Sequence, residues 1–253
     1  MKVIFLCAGY ATRLYPLTEN QPKPLLSVGD RPILEWILAG LSHVKGIDQF
    51  YIVTNHKFAG HFESWQTKSG QSWPVKVIDD RTTSNDNRLG AIGDLRFVLT
   101  QEGIGAEDIL VVAGDNLFDS NLADFVESAV RHRPHPVLAV YDVKDRNLAK
   151  QYGLVKLNRE GQVVEFLEKP AEPPTTLASC GLYWLPRETR DLLDRYLKEG
   201  NNADQPGHYM SWLARTDRLF AVAIKGNWFD IGDLASYRKA NDLSSQFRNV
   251  PIS

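Results

Sequence analysis

The sequence is poor in the residue types that cross-link a chain or anchor it in a membrane. It has two cysteines among 253 residues and no Cys-x-x-Cys motif, which excludes a disulfide framework. Cys7 and Cys180 both stand in apolar runs, so we expect buried thiols. The run Val3 to Cys7 is too short for a signal peptide, and no stretch approaches the roughly 18–20 apolar residues of a membrane span. These absences predict a cytoplasmic chain with no membrane partner.

An excess of charge of either sign is also missing. The chain has 29 basic and 31 acidic residues, which gives a formal net charge of −2. Such a balance does not favour nucleic acid or an anionic membrane as a partner, so a basic binding site has to be local. The content of 43% hydrophobic and 24% charged residues is typical of a globular protein and leaves homo-oligomerisation open.

Strand and helix patterns alternate through the first 141 residues. Short apolar runs predict strands at 3–6, 50–53, 75–78, 109–112 and 137–141, and helical spacing predicts helices at 32–41, 56–65, 90–99 and 122–130. Repeated strand–helix alternation predicts an α/β fold, with a Rossmann-like, mostly parallel sheet and helices on both faces.

The pattern changes after about residue 150. Alternating segments at 152–157 and 162–168 flank an Asn-Arg-Glu-Gly turn and predict a hairpin, followed by a strand at 177–184. A helix at 187–198, a polar loop at 200–207, a strand at 219–224 and a helix at 234–243 complete the prediction. We interpret residues 1–253 as a single domain with a small β-rich substrate lobe at about 150–215.

The first predicted strand opens into a loop of small residues, followed by two separated basic residues. The loop is formed by Ala8, Gly9, Tyr10, Ala11 and Thr12. Small residues let backbone N–H groups approach a phosphate closely. Arg13 offers a forked donor, and Lys23 is a point charge fixed between two prolines. A Rossmann fingerprint and a Walker loop are both excluded, because Gly9 is the only glycine at the required spacing.

The run from Ala8 to Glu35, which ends in Arg-Pro-Ile-Leu-Glu, resembles the signature of the sugar-phosphate nucleotidylyltransferases. This family includes glucose-1-phosphate thymidylyl- and uridylyltransferases and mannose-1-phosphate guanylyltransferases, and the resemblance covers nearly the whole chain. Ala11 replaces the second glycine of the family loop. An alanine fits there if its φ is negative.

Two aspartates follow glycine-containing segments far apart in the sequence. Asp115 comes directly after the strand 109–112, at the end where parallel sheets bind ligands. Asp230 lies in the segment 226–233. Polyphosphate chemistry needs a metal, and Mg²⁺ prefers carboxylate and phosphate oxygens. The resemblance implies that Asp115 and Asp230 are the Mg²⁺ ligands, whereas Asp119 and Asp233 are expected to cap helices.

The resemblance also implies positions for the sugar and the base. Gly153, Glu168 and Lys169 correspond to the segments that hold the sugar 1-phosphate: a backbone contact to a hydroxyl, a carboxylate for hydroxyls and an ammonium for phosphate. Gly181 is expected to let the sugar approach a strand. Gly90 is our candidate for backbone contact to the base. Family thymidylyltransferases often have a glutamine shortly before this turn, and residues 82–88 contain none, so the base stays open.

The resemblance implies a reaction in which Arg13, Lys23 and Asp115 are the catalytic residues. A sugar 1-phosphate attacks the α-phosphorus of a nucleoside triphosphate, with dTTP or UTP and a hexose 1-phosphate favoured, and pyrophosphate leaves. Three alternatives remain: a GTP-dependent mannose-1-phosphate guanylyltransferase, cytidylyl transfer to an amino-alcohol phosphate, and a nucleotide-sugar sensor without catalysis. The sensor should have lost Arg13, Lys23 or a metal aspartate, and none is lost here.

Overall fold

The computed structural model describes residues 1–69 and 73–247, with thirteen strands and eight α-helices in that part of the chain. The strands are β1 (Lys2–Leu6), β2 (Ser27–Val28), β3 (Arg31–Pro32), β4 (Gln49–Thr54), β5 (Val75–Asp79), β6 (Ile109–Ala113), β7 (Asn116–Phe118), β8 (Val137–Asp142), β9 (Gly153–Leu157), β10 (Val163–Glu168), β11 (Leu177–Leu185), β12 (Phe220–Ala223) and β13 (Trp228–Asp230). The helices are α1 (Ile33–Leu41), α2 (Ala59–Lys68), α3 (Ala91–Gln101), α4 (Ala123–Val130), α5 (Arg146–Ala149), α6 (Arg190–Lys198), α7 (Pro206–Thr216) and α8 (Leu234–Leu243).

The chain divides into two compact units. The first contains residues 1–88, 112–123 and 225–253, and the second contains residues 89–111 and 124–224. Strand β6 contributes residues to both units. The division into one domain, with a substrate lobe at about 150–215, stays a prediction.

The first unit is built on parallel strands whose carboxyl ends lie at one edge. β1 pairs with β4, and β4 pairs with β5, both in parallel register. Val3, Ile4 and Phe5 are fully buried, which explains why β1 is a continuous apolar run without polar alternation. Beyond the strands, β7 and β13 form a short antiparallel ladder. The unit therefore places the loop after β1 and the β7–β13 ladder where parallel sheets bind ligands.

The second unit is a mixed sheet with helices. β9 and β10 form an antiparallel hairpin, β11 pairs antiparallel with β8, and β12 pairs parallel with β8. The register of β11 shifts between Ser179 and Tyr183, and Gly181 has a φ of 68° within this interruption. α7 packs against β10, and its buried side chains are Tyr209, Met210, Trp212 and Leu213.

The predicted fold class, a mostly parallel sheet with helices, is confirmed, and most predicted elements lie within a few residues of their positions. Helix α7 was not predicted, and its first two residues were wrongly assigned to a loop at 200–207. Pro206 and Gly207 are turn residues by propensity, but they open the first turn of α7, where proline is tolerated. Strands β7 and β13 were also missed, since three-residue strands show too little alternation to detect. No helix of the described residues is long and apolar enough to cross a membrane.

Candidate active site

Polar side chains donate hydrogen bonds to two carbonyl groups of the loop after β1. The fully buried Asn55 donates to the carbonyl of Ala8 at 2.9 Å, and Thr18 donates to the carbonyl of Ala11 at 2.8 Å. Within the described residues, the amides of Gly9 to Ala11 donate no hydrogen bond. Three successive unbonded amides beside a strand end are suited to binding an anion.

Ala11 does not meet the condition of a negative φ under which an alanine fits easily in the loop. Its φ is 49° and its ψ is 41°, which is the left-handed helical region. This conformation costs an L-residue about 1–2 kcal/mol relative to glycine. Leu14 N donates to the same carbonyl that Thr18 binds, so two hydrogen bonds maintain the strained turn. The family glycine is therefore replaced by an alanine that adopts glycine's conformation.

Lys23 makes a direct ion pair with Asp115. Its Nζ lies 2.8 Å from Oδ2 of Asp115 and 2.9 Å from the carbonyl oxygen of Ile231. The lysine side chain is 12% exposed and that of the aspartate is 36% exposed. Burial opposes ionisation of Asp115, but the Lys23 ammonium and the hydrogen bonds donated to the carboxylate hold its pKa below the usual value. Two of the three ammonium protons are used, which leaves one for a ligand.

A second set of hydrogen bonds orients the other carboxylate oxygen of Asp115. Trp228 Nε1 donates to Oδ1 of Asn116 at 2.6 Å, and Asn116 Nδ2 donates to Oδ1 of Asp115 at 2.8 Å. The indole fixes which end of the buried amide faces Asp115. Asn116 and Trp228 were not identified from the sequence, because their roles depend on the β7–β13 ladder.

The glycine before Asp115 is required by close packing. A Cβ at Gly114 would lie 2.4 Å from Sγ of Cys7 and 3.1 Å from both the Leu6 carbonyl oxygen and Cγ of Pro24. The amide of Gly114 donates to the Leu6 carbonyl at 3.1 Å. Gly114 thus lets the chain run directly over the end of β1 and places Asp115 beside the segment that carries Lys23.

Asp230 and Arg13 approach the same part of the first unit. Asp230 pairs with Asn116 in the β7–β13 ladder, and the Ile231 amide donates to the Asp115 carbonyl at 3.1 Å. A Cβ at Gly232 would lie 3.6 Å from Oδ2 of Asp230 and 4.0 Å from Nη2 of Arg13. The four predicted residues Arg13, Lys23, Asp115 and Asp230 are therefore brought together at one edge.

The two expected helix caps have different outcomes. Asp233 caps α8: its side chain accepts from Ser236 N, and Ser236 Oγ bonds back to the Asp233 amide. This prediction is confirmed. The prediction for Asp119 was wrong, because its two carboxylate oxygens accept from the amide and the side chain of Asn227. Asp119 therefore ties the β7 end to the segment leading into β13.

Tyr10 points into a buried polar cluster that the sequence did not reveal. Oδ1 of Asp80 accepts from the amide and the hydroxyl of Thr82, both at 2.7 Å. Oδ2 of Asp80 and the hydroxyl of Tyr10 have no hydrogen-bond partner among the described residues. Burial raises the pKa of Tyr10, and the nearby Asp80 charge adds to this effect. Both causes favour the neutral form of the loop tyrosine.

In the second unit, the three predicted sugar-site residues of the hairpin lie together. Glu168 pairs with Gly153 across β9 and β10, and Nζ of Lys169 lies 3.9 Å from Oε1 of Glu168. Lys169 has a φ of 46°, and its amide donates to the Tyr152 carbonyl at 3.1 Å. A left-handed lysine is strained, and such strain is typical of functional positions.

The other two predicted glycines have structural reasons of their own. Gly90 has a φ of 79°, and a Cβ there would lie 2.6 Å from the Ala203 carbonyl oxygen. The first amides of α3 donate to the carbonyls of Asp204 and Ala203, so these amides are already bonded. Gly181 lies in the β11 register shift described above. Their predicted contacts to base and sugar stay predictions.

The chemistry of the carboxylates fits a Mg²⁺ ion that is completed by phosphate. The Asp115 carboxylate accepts hydrogen bonds from Lys23 and Asn116 and has lone-pair sites beyond these two, and Asp230 pairs with Asn116 in the β7–β13 ladder. Among the described residues, no group of three or more His, Cys, Asp or Glu side chains forms a metal site by itself. Mg²⁺ typically uses one or two carboxylates together with phosphates and waters, so two aspartates suffice.

Comparison with known proteins gives relatives that are named as uridylyltransferases or as the bifunctional protein GlmU. The chain is 31% identical over 183 residues to the UTP–glucose-1-phosphate uridylyltransferase AglF of Haloferax volcanii, which covers 72% of this chain and 71% of that protein. It is 29% identical over 265 residues to the UTP–glucose-1-phosphate uridylyltransferase of Synechocystis sp., with coverage of 100% and 66%. Bifunctional protein GlmU of Methanocaldococcus jannaschii is 25% identical over 236 residues. That match covers 92% of this chain and 51% of GlmU, so the chain spans about half the length of this relative.

Solved structures and a family model extend the comparison. The crystal structure of a putative glucose-1-phosphate thymidylyltransferase from Bacillus anthracis has a TM-score of 0.79 at 24% identity and covers 100% of this chain and 97% of that one. At this identity the likeness shows the fold. The model of the nucleotidyl transferase family matches residues 2–246. The predicted family and enzyme class are thereby confirmed: this chain belongs to the nucleotidyl transferase family.

Proposed function

We propose that this chain transfers a nucleoside monophosphate from a nucleoside triphosphate to a hexose 1-phosphate and releases pyrophosphate. The observation that carries the proposal is the contact between Lys23 and Asp115 beside Asp230, at the edge where the loop after β1 presents unbonded amides. A cation, two carboxylates and an anion-binding loop are the groups that a charged polyphosphate and its metal require.

The proposed nucleotide site lies in the first unit. The amides from Gly9 to Ala11 and the Arg13 guanidinium bind the β- and γ-phosphates. Lys23 uses its remaining proton to stabilise negative charge on the α-phosphate and the departing pyrophosphate. Asp115 and Asp230 hold Mg²⁺, which supplies charge neutralisation on the phosphates when bound. Gly90 is the proposed backbone contact to the base.

The proposed acceptor site lies on the hairpin of the second unit. Glu168 accepts hydrogen bonds from sugar hydroxyls beside Gly153 and Gly181, and Lys169 binds the phosphate of the acceptor. The acceptor oxygen is already an anion, so no general base is needed. It forms a bond to the α-phosphorus while the bond from that phosphorus to the bridging oxygen breaks, and pyrophosphate leaves with the electron pair.

The favoured substrates are dTTP or UTP and a hexose 1-phosphate. Support comes from the relatives and structural neighbours, whose names state uridylyl or thymidylyl transfer to glucose 1-phosphate. We also propose a cytoplasmic location, where these phosphorylated substrates occur. The free thiols of Cys7 and Cys180 agree with a reducing compartment.

A matrix of five nucleoside triphosphates against common hexose 1-phosphates, with Mg²⁺, tests this proposal by pyrophosphate release. We expect turnover with at least one uridine or thymidine pair. Each triphosphate should also raise the thermal midpoint in the presence of Mg²⁺ if it binds. Stabilisation by a triphosphate without pyrophosphate release on any sugar would instead support a non-catalytic sensor.

A further inference from the structure

The carboxylate of Glu168 lies where a side chain at position 207 would be. A Cβ at Gly207 would lie 2.1 Å from Oε2 of Glu168 and 3.2 Å from its Cδ. Gly207 is buried in the first turn of α7, and its φ is not in the left-handed region, so its own backbone does not require glycine. The requirement comes from the glutamate that occupies the space.

A second glycine borders the same carboxylate. A Cβ at Gly153 would lie 3.0 Å from Oε2 of Glu168 and 2.7 Å from Cζ of Phe166. The Phe166 ring also lies 3.2 Å from a Cβ at Gly207. Oε2 is thus placed between two residues without side chains and beside an aromatic ring, while the Glu168 side chain keeps 26% of its surface exposed.

We propose that Gly207 is a positioning residue: because it lacks a side chain, it leaves the space in which the Glu168 carboxylate lies ready to recognise the hydroxyl groups of the acceptor sugar. The inference rests on the proposed function. A glutamate side chain loses considerable rotamer freedom when it is fixed, so a preformed position lowers the cost of binding. The first turn of α7 also presents the positive end of a helix, which favours a carboxylate there.

Replacement of Gly207 by alanine distinguishes a role in positioning Glu168 from a role in the stability of the fold. The atom that an alanine methyl group would meet most closely is the far end of a flexible side chain, which can rotate away. Alanine is also the better helix former, so the thermal midpoint should stay the same or rise. A merely structural glycine would show the opposite, a fall in stability with unchanged substrate affinity.

The test is steady-state kinetics of G207A with glucose 1-phosphate and the best triphosphate from the matrix. We expect the KM for the sugar 1-phosphate to rise about tenfold or more, as for a lost hydrogen bond to a charged group, with the KM for the triphosphate unchanged. The matched control is Gly60→Ala in α2, where a Cβ would meet nothing within 4 Å. An unchanged KM for the sugar 1-phosphate in G207A would overturn the inference.

A double-mutant cycle with Glu168→Ala shows whether G207A changes the KM for the sugar 1-phosphate through the Glu168 carboxylate. If Gly207 acts through the carboxylate, G207A should have no further effect on the sugar KM once Glu168 is alanine. If the fold-changes in the sugar KM caused by G207A and by Glu168→Ala multiply in the double variant, the inference is overturned. A wild-type chain inactive on every substrate pair would refute the proposed function separately. Crystal structures would then decide the positioning itself: a Glu168 carboxylate displaced in G207A supports it, and an unmoved one overturns it.

Discussion

The ammonium nitrogen of Lys23 lies 2.8 Å from a carboxylate oxygen of Asp115, although 92 residues separate the two in the sequence. Lys23 also binds the Ile231 carbonyl, one residue after Asp230. One lysine therefore contacts one of the two aspartates that we assign to the metal and the residue that follows the other.

Replacing Lys23 should lower turnover more than it lowers stability. We expect Lys23→Ala to reduce kcat by about 10²–10³, the usual cost of one preorganised charge contact. Pyrophosphate release at saturating substrates measures this, and circular dichroism checks the fold. Lys45→Ala, an exposed lysine of the same unit, is the control. Turnover of K23A near that of the control would refute the role of Lys23.

Trp228→Phe should impair catalysis through Asn116. The change removes the donor to a buried amide oxygen and should cost about 1–3 kcal/mol of stability. We also expect a lower kcat, because Asn116 is then free to turn its amide away from Asp115. Trp65→Phe is the matched control, since it removes a comparable donor to Glu35 in the same unit. Equal losses of kcat in both variants would contradict a specific role for Trp228.

Gly114→Ala should distort the position of Asp115. A methyl group within 2.4 Å of the Cys7 sulfur overpacks the core, which typically costs about 1–3 kcal/mol. We expect lower unfolding free energy in urea together with reduced kcat. Gly60→Ala, with open space around its Cβ, should lose neither. A fully active and stable G114A would show that the chain adjusts there without moving the carboxylate.

Ala11 offers a test of backbone strain in the proposed phosphate loop. Glycine relieves about 1–2 kcal/mol of left-handed strain and loses about 0.5–1 kcal/mol through the flexibility of the unfolded chain. We therefore expect Ala11→Gly to be neutral or slightly stabilising, with activity retained. Ala11→Val should be clearly destabilising, because a β-branched residue tolerates this φ poorly. Urea unfolding of the wild type, Ala11→Gly and Ala11→Val measures their order of stability. A valine variant as stable as the glycine variant would contradict the prediction.

His56 should have a pKa above the ordinary value for histidine. Its Nδ1 lies 2.7 Å from Asp79, and the hydrogen bond and charge of that carboxylate raise the pKa of the imidazole. A raised folded-state pKa gives stability that is complete below the unfolded pKa and is lost as pH rises through the folded value. The effect on stability is small because the ring is exposed. An NMR titration should show the pKa falling in Asp79→Asn, and an unchanged value would exclude the pair.

The loop and strand ends illustrate how far sequence reasoning reached. The run after β1 identified Arg13 and Lys23, since a glycine-containing loop with spaced cations is informative without coordinates. Asp115 was found because it follows an apolar strand. Asn55, Thr18 and Trp228 were not found, because an isolated polar or aromatic residue shows no local pattern that indicates its distant partner.

The sequence by itself determined most of the secondary structure of this protein. Apolar runs form buried strands, segments with helical spacing form helices, and two flanking prolines restrict the backbone at Lys23. The tertiary structure alone decided that Ala11 adopts a glycine conformation, that Asp119 binds Asn227 and that Glu168 occupies the space of a missing side chain at Gly207. These features depend on contacts between residues distant in the sequence. Propensity and spacing act over a few residues, so they cannot specify which distant atoms meet.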